Sequence, residues 1–193
     1  MSVNKSFGER ITLPDRPTCV IGIDPGENSG AICVVRFIPH QESGGIQAFR
    51  MCHSMPPSLP EIRRLLLSSK NYQTRTGIDR IEDEDYFVFL ESFKGWHFPP
   101  HIQGPALKGY VSRIIKVQVH LGQLTGLLAG IRVAYHPVTP QAWQKRLGCL
   151  TKGDKHVTKA AAQRRFPKMK VTLKNADAIL IAHYGCLWQL GTK

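Results

Sequence analysis

Apolar and polar positions change their period several times along the chain, and each change marks an element. From Val20 to Val35 two apolar runs flank a short polar turn, VIGIDPGENSGAICVV. Val20, Ile21 and Ile23 are β-branched, Gly22 lets another backbone approach, and Pro25-Gly26 joins a fixed φ to tolerance of positive φ, so a strand stops at Asp24. Gly30 opens the second run, Ala31 to Phe37, the partner strand of a hairpin with a longer loop. Pro39 to Gly45 reads as a loop and Ile46 to Cys52 as a short third strand. Beyond the Pro-rich stretch Met55 to Pro60, the segment Glu61 to Ser69 carries Ile62, Leu65 and Leu66 at helical spacing. Asn71 to Asp85 is polar and acidic, the pattern of a solvated loop.

Tyr86 to Leu90, YFVFL, is a continuous apolar run of strand length that closes on Glu91, a second buried strand ending in a carboxylate. The pattern from Leu107 to Leu128 is that of a long, mostly apolar helix with Lys108, Arg113 and Lys116 on its polar side. Gly122 and Gly126 lie one turn apart there and flatten one face, which suits close packing against a strand, a helix or a second copy. Ile131 to Pro137 reads as a strand, followed by a short helix from Thr139 or Pro140 through Trp143 and Leu147. Asp154 is placed to cap a basic helix that Phe166-Pro167 ends. In the last segment, Leu173 to Leu190, Asn175 is the expected N-cap and Asp177 falls in the first turn. The residues after it are apolar around much of the helix, so this helix is expected to be buried, with His183 as a satisfied core histidine.

A length of 193 residues suits one domain, here expected over 18–193 behind a loosely held polar arm at 1–17. The 42% hydrophobic and 21% charged composition is that of a globular protein and not of a disordered one. No apolar run approaches the roughly 20 residues of a membrane span, and Met1 to Arg16 lacks the apolar core of a targeting peptide. An intracellular location without a membrane partner is therefore expected. The five cysteines form no CxxC pair and leave an odd one, which points to reduced core residues. Charge changes the picture most. Residues 1–100 hold 11 Lys and Arg against 12 Asp and Glu, whereas residues 101–193 hold 15 against 2, so the whole net charge of +12 lies in the second half. A field that lopsided favours a polyanion such as nucleic acid.

The candidate chemistry starts from the acids. Asp24 alone is either a turn residue or a cation ligand, and Asp177 alone is often just a helix-dipole contact. Together, two adjacent central strands ending in Asp24 and Glu91, faced by a helix offering Asp177, would gather three acids at one sheet edge. Such a cluster raises its own pKa values unless cations neutralise it. Oxygen-only ligands suit Mg²⁺ or Mn²⁺, and two such ions can drive in-line hydrolysis of a phosphodiester. The loop after Glu91 interleaves Phe93, Lys94 and Trp96, a pattern that stacks bases while the cation takes a phosphate. Phe98 in the same loop more readily folds back on the core. Lys152, Lys155 and Lys159 recur at helix-like spacing; such a run usually means a solvated helix face, but no acid interleaves except Asp154 at the cap.

At this point the chain resembles the RuvC-type Holliday-junction resolvases of the RNase H-like superfamily, over about Val20 to His183. The resemblance is carried by GIDPG with Gly30 shortly after, DYFVFLE (Asp85 to Glu91), LGQLTG (Leu121 to Gly126), GDKHV (Gly153 to Val157) and ADAILIA (Ala176 to Ala182), in the family's order. It implies an α/β, RNase H-like fold, a mixed five-stranded sheet flanked by helices. It also implies a homodimer making paired, Mg²⁺-dependent nicks in a four-way DNA junction, in the cytoplasm or nucleoid of a bacterium or phage-infected cell, or in an organelle matrix. By position, Asp24, Glu91 and Asp177 correspond to catalytic carboxylates holding two Mg²⁺ or Mn²⁺ ions, and Lys155 to a catalytic lysine near the scissile phosphate. Phe93 or Trp96 corresponds to a loop aromatic at the junction centre, while Lys94, Lys108, Lys152 and Lys159 are the further DNA-binding candidates. One departure stands out: three residues before the last acid, where the family usually has Asp or His, this chain has Lys174, with Asn175 next. Other readings of the same residues are a junction-binding protein with impaired catalysis, an RNase H-like nuclease acting on hybrids or flaps, and an actin-like phosphotransferase. The last lacks a second Gly-rich phosphate loop.

Overall fold

The computed structural model of the chain describes residues 18–26, 29–37, 48–71, 85–93, 103–151, 153–189 and 191. The arm at 1–17 and the candidates Lys94, Trp96 and Lys152 lie outside them. Five strands, β1 (Thr18–Asp24), β2 (Ala31–Phe37), β3 (Ala48–Ser54), β4 (Asp85–Glu91) and β5 (Tyr135–Val138), form one sheet in the order β3-β2-β1-β4-β5. The first three pair antiparallel, β1 pairs parallel with β4, and β4 parallel with β5. Five helices accompany it among the described residues: α1 (Leu59–Asn71), α2 (Gly104–Gly130), α3 (Pro140–Arg146), α4 (Lys155–Arg165) and α5 (Ala176–Gln189).

The period of two along the strands divides the core in two. Cys19, Ile21 and Ile23 of β1, with Val88 and Leu90 of β4, pack towards Ile62 and Leu66 of α1 and Leu124 and Leu128 of α2. Val20 and Phe89 point the other way, into a cluster with Trp143 of α3, Ala161 and Ala162 of α4 and the apolar girth of α5. The helix expected to be buried is α5, and nine of its fourteen residues are buried and the other five half-buried. The five cysteines form no disulfide with one another, and four of them are buried. No helix among the described residues is long and apolar enough to cross a membrane.

Three expectations shift. The third strand ends two residues later than its apolar pattern suggests, because the ladder runs from Arg36↔Ala48 to Ala31↔Ser54 with a bulge at Val34/Val35. The strand expected at Ile131 to Pro137 starts only at Tyr135. Ile131 and Val133 instead close α2: Arg132 takes φ 56°, its N–H donates to the Ala129 carbonyl at 3.0 Å, and the Val133 N–H reaches Leu128 at 2.9 Å. That is a helix-ending pattern in which the apolar residues beyond the last turn fold back on the core. Asn175 does not cap α5 with its side chain, which turns back instead: Oδ1 accepts from the Thr172 N–H at 2.7 Å and Nδ2 donates to the Lys170 carbonyl at 3.1 Å.

Candidate active site

Alternation along β1 puts Val20, Gly22 and Asp24 on the α5 side, and alternation along β4 does the same for Phe87, Phe89 and Glu91. Because Ile23 lies opposite Leu90 in the parallel ladder, the two strands end together and their terminal carboxylates are neighbours. The third acid arrives by packing. A Cβ on Gly22 would run into the Ala178 carbonyl and the Ala182 backbone, so α5 rests directly on β1 at the glycine. Asp177, beside Ala178 in the first turn, is thereby brought to the end of the sheet where Asp24 and Glu91 sit. Asp24 and Glu91 are buried, at 7% and 6% exposure.

Each acid has a different partner. Asp24 Oδ1 accepts from the Gly26 N–H at 3.1 Å, within its own turn. Glu91 Oε1 accepts from the Trp143 indole N–H at 2.8 Å. Asp177 Oδ2 lies 3.9 Å from Lys155 Nζ, while Asp177 Oδ1 is buried with no hydrogen-bond partner among the described residues. The Lys155 side chain is half exposed. Burial, then the charge of Asp177, pushes the Asp24 carboxyl from 3.8 up to about 6, against the Gly26 N–H and Lys155. Burial, then the charge of Asp24, pushes Glu91 from 4.5 up to about 8, against the Trp143 hydrogen bond and Lys155. One solvated ammonium does not neutralise three carboxylates, so burial and mutual repulsion raise the proton affinity of the two buried acids.

The donor set is oxygen only, it is short of positive charge, and it leaves one buried carboxylate oxygen orphaned, which fits a hard divalent cation. Asp24, Glu91 and Asp177 are the residues that would hold it. As they are placed, no three His, Cys, Asp or Glu side chains among the described residues stand close enough together to hold a metal ion.

Two residues that the sequence reading passed over support the strand ends. Trp143 is fully buried and donates to Glu91. His120 of α2, also buried, makes a 2.7 Å hydrogen bond between Nδ1 and the Pro25 carbonyl, fixing the turn that follows Asp24. His120 was findable, since it shares the buried stripe of α2 with Leu124 and Leu128 at i, i+4, i+8. Nothing local marks Trp143, whose acceptor lies 52 positions away in sequence.

The basic candidates divide by exposure. Lys155 stands at Asp177, Lys159 is half-buried one turn further along α4, and Lys108 is exposed on α2, away from the carboxylates in sequence and layer. Phe93 is exposed, two residues beyond Glu91. Arg146 and Arg165 serve the fold, donating to the carbonyls of Leu187 and Leu147. Lys174 is exposed on the turn before α5, and the ammonium acting on Asp24 and Glu91 is that of Lys155. His183 packs edge-on against Phe166 and its pKa is lowered to about 4 by burial and then Arg165. It is a core histidine but not a satisfied one, for its Nδ1 is buried without a partner among the described residues.

No protein-family model matches the chain, and no curated protein does. Among solved structures, it is similar to T. thermophilus RuvC in complex with Holliday junction substrate, with a TM-score of 0.54 and 16% identity over 91% of this chain and 98% of that one. A second Thermus thermophilus RuvC structure gives the same values, TM-score 0.54, 16% identity, 91% and 98%. At that identity the likeness is one of fold: this chain has the mixed five-stranded, helix-flanked α/β architecture of the RNase H-like kind.

Proposed function

We propose that the chain is a structure-selective DNA endonuclease that resolves four-way junctions by divalent-metal-dependent phosphodiester hydrolysis, making paired nicks as a homodimer. The observation that carries this is the meeting of Asp24, Glu91 and Asp177 at one sheet end, with a buried orphan oxygen and Lys155 alongside. Mg²⁺ or Mn²⁺, as two ions, supplies the charge neutralisation and activated water that the cluster lacks. Asp24 and Glu91 hold and orient the ions from rigid strand ends; Asp177 does so from α5. Lys155 leaves Asp177 for a phosphate oxygen when DNA arrives. Phe93 or Trp96 opens the junction centre by stacking, and Lys94, Lys108, Lys152 and Lys159 hold backbone phosphates. The similarity to a RuvC structure solved with Holliday junction substrate supports the substrate class. The outer face of α2, where a Cβ on Gly122 or Gly126 would meet nothing, supports a second copy docking there.

The test is a synthetic four-way junction, assayed beside duplex and RNA–DNA hybrid with Mg²⁺ or Mn²⁺. Wild type cuts the junction, and Asp24→Asn lowers the rate by about 10³-fold, a figure in line with loss of a charge that stabilises the transition state, with binding nearly unchanged. An uncut junction, or full activity in Asp24→Asn, sinks the proposal; faster cutting of hybrid redirects it to another RNase H-like nuclease. A second reading, a junction-binding protein with impaired catalysis, is favoured by Lys174 where the family has a fourth ligand. Tight, salt-sensitive binding without cleavage, with cutting restored by Lys174→Asp, selects it.

A further inference from the structure

Among the described residues, Glu91 alone of the three acids accepts a hydrogen bond from a side chain of another element, Asp177 having only the 3.9 Å approach of Lys155. The ladder partner of Glu91 is Val138, and the Ser92 N–H continues the pairing with a 2.8 Å bond to the Val138 carbonyl. The chain then turns at once into α3, where the Thr139 hydroxyl caps the Ala142 N–H and Pro140 fixes the first turn. One turn on, Trp143 comes back over the end of β4 with its indole nitrogen 2.8 Å from Glu91 Oε1. An indole N–H donates and cannot accept, so it selects one carboxylate oxygen and holds it in one orientation.

We propose that Trp143 is a positioning residue for Glu91, fixing one carboxylate oxygen so that the other is presented to a divalent cation. This rests on the metal-dependent reading of the site. Ordinary core packing would ask less of it. A buried tryptophan needs some acceptor for its N–H, and a carbonyl would serve. Here the acceptor is a carboxylate that is itself buried and stands beside two others, and the tryptophan is delivered to it by the strand that pairs with that acid.

Calorimetric titration of the full chain with Mn²⁺, without DNA, separates the two roles. Trp143→Phe keeps the ring and deletes the donor, and the expected result is Mn²⁺ binding weakened by about 10-fold or more, as for groups that orient metal ligands. In a Glu91→Gln background the same substitution changes Mn²⁺ affinity no further. A Trp143→Phe protein that is less stable but binds Mn²⁺ as wild type does overturns the proposal, as does an equal loss in both backgrounds. Should Trp143→Phe not fold, ¹⁵N spectra of the wild-type chain decide. The Trp143 indole resonance, assigned by elimination with Trp96→Phe and Trp188→Phe, moves on Mg²⁺ addition if Glu91 is recruited, and a resonance fixed to saturation overturns the proposal. If wild type binds neither Mn²⁺ nor Mg²⁺, the proposed function falls together with this inference. If it binds them and Trp143 has no effect, only the inference falls.

Discussion

Gly22 in β1 and Gly126 in α2 both sit inside regular elements, where glycine costs roughly 0.5–1 kcal/mol relative to alanine, but they face opposite surroundings. At Gly22 the backbone of α5 occupies the space a Cβ would need; at Gly126 nothing lies within 4 Å. The contrast extends to the layers. Nine residues of α5 are buried in fourteen, whereas α2 has no buried residue before His120, its seventeenth position. Close approach on the α5 side brings the third carboxylate to the other two. Openness on the α2 side leaves Lys108, Ile115, Lys116 and Val119 exposed among the described residues. The difference teaches that the same residue type signals a built site only where another backbone fills its absent side chain.

Four changes break or sharpen that contrast. The largest effect belongs to Gly22→Ala, which must push α5 off β1. Overpacking of that kind costs about 3 kcal/mol, a Tm lower by roughly 10 °C for a chain of this size, and Mn²⁺ binding falls with it; a melt within a degree of wild type contradicts the packing argument. Next is Lys155→Ala, expected to slow junction cleavage about 100-fold while weakening binding only severalfold, since it is one phosphate contact among many. Equal losses in rate and binding, measured by single turnover and gel shift, would place Lys155 on the surface and not at the scissile phosphate.

The third change is in pH. A carboxyl raised by folding contributes stability that is complete below its unfolded pKa and lost as pH rises through the folded value. For Asp24 that loss lies between 3.8 and about 6, and for Glu91 between 4.5 and about 8. His183, lowered to about 4, works oppositely, its contribution being present above 6.5 and lost as pH falls towards 4. Between pH 6.5 and 8, then, Glu91 dominates: with chelator present, Tm falls by a few degrees across that window. Glu91→Gln flattens the decline, and so does saturating Mg²⁺. A flat wild-type melt profile in chelator would mean that Glu91 is already ionised at pH 6.5. The smallest effect is Gly126→Ala, which adds a Cβ to open space and raises stability by about 0.5–1 kcal/mol through helix propensity. A lowered Tm together with a shift in oligomeric state by light scattering would show that a second copy covers the face.

The apolar runs, the strand-terminal acids and the basic second half are local properties, and they sufficed to order the elements, since period two and period 3.6 are written in consecutive residues. They also put Asp24, Glu91 and Asp177 in one group before any contact was known, because acids that are ambiguous singly recur at the ends of two buried strands and in the first turn of a buried helix. Where local signals compete, the sequence misleads. Ile131 and Val133 look like a strand until the α2 terminus claims them, and Asn175 looks like a cap until Thr172 and Lys170 offer its side chain better-placed partners. Only tertiary structure decided that Gly22 is the seat of α5, that His120 fixes the turn after Asp24, and that Trp143 holds Glu91. Each of these depends on two segments far apart in sequence meeting at hydrogen-bonding or van der Waals distance, and no periodicity records such a meeting.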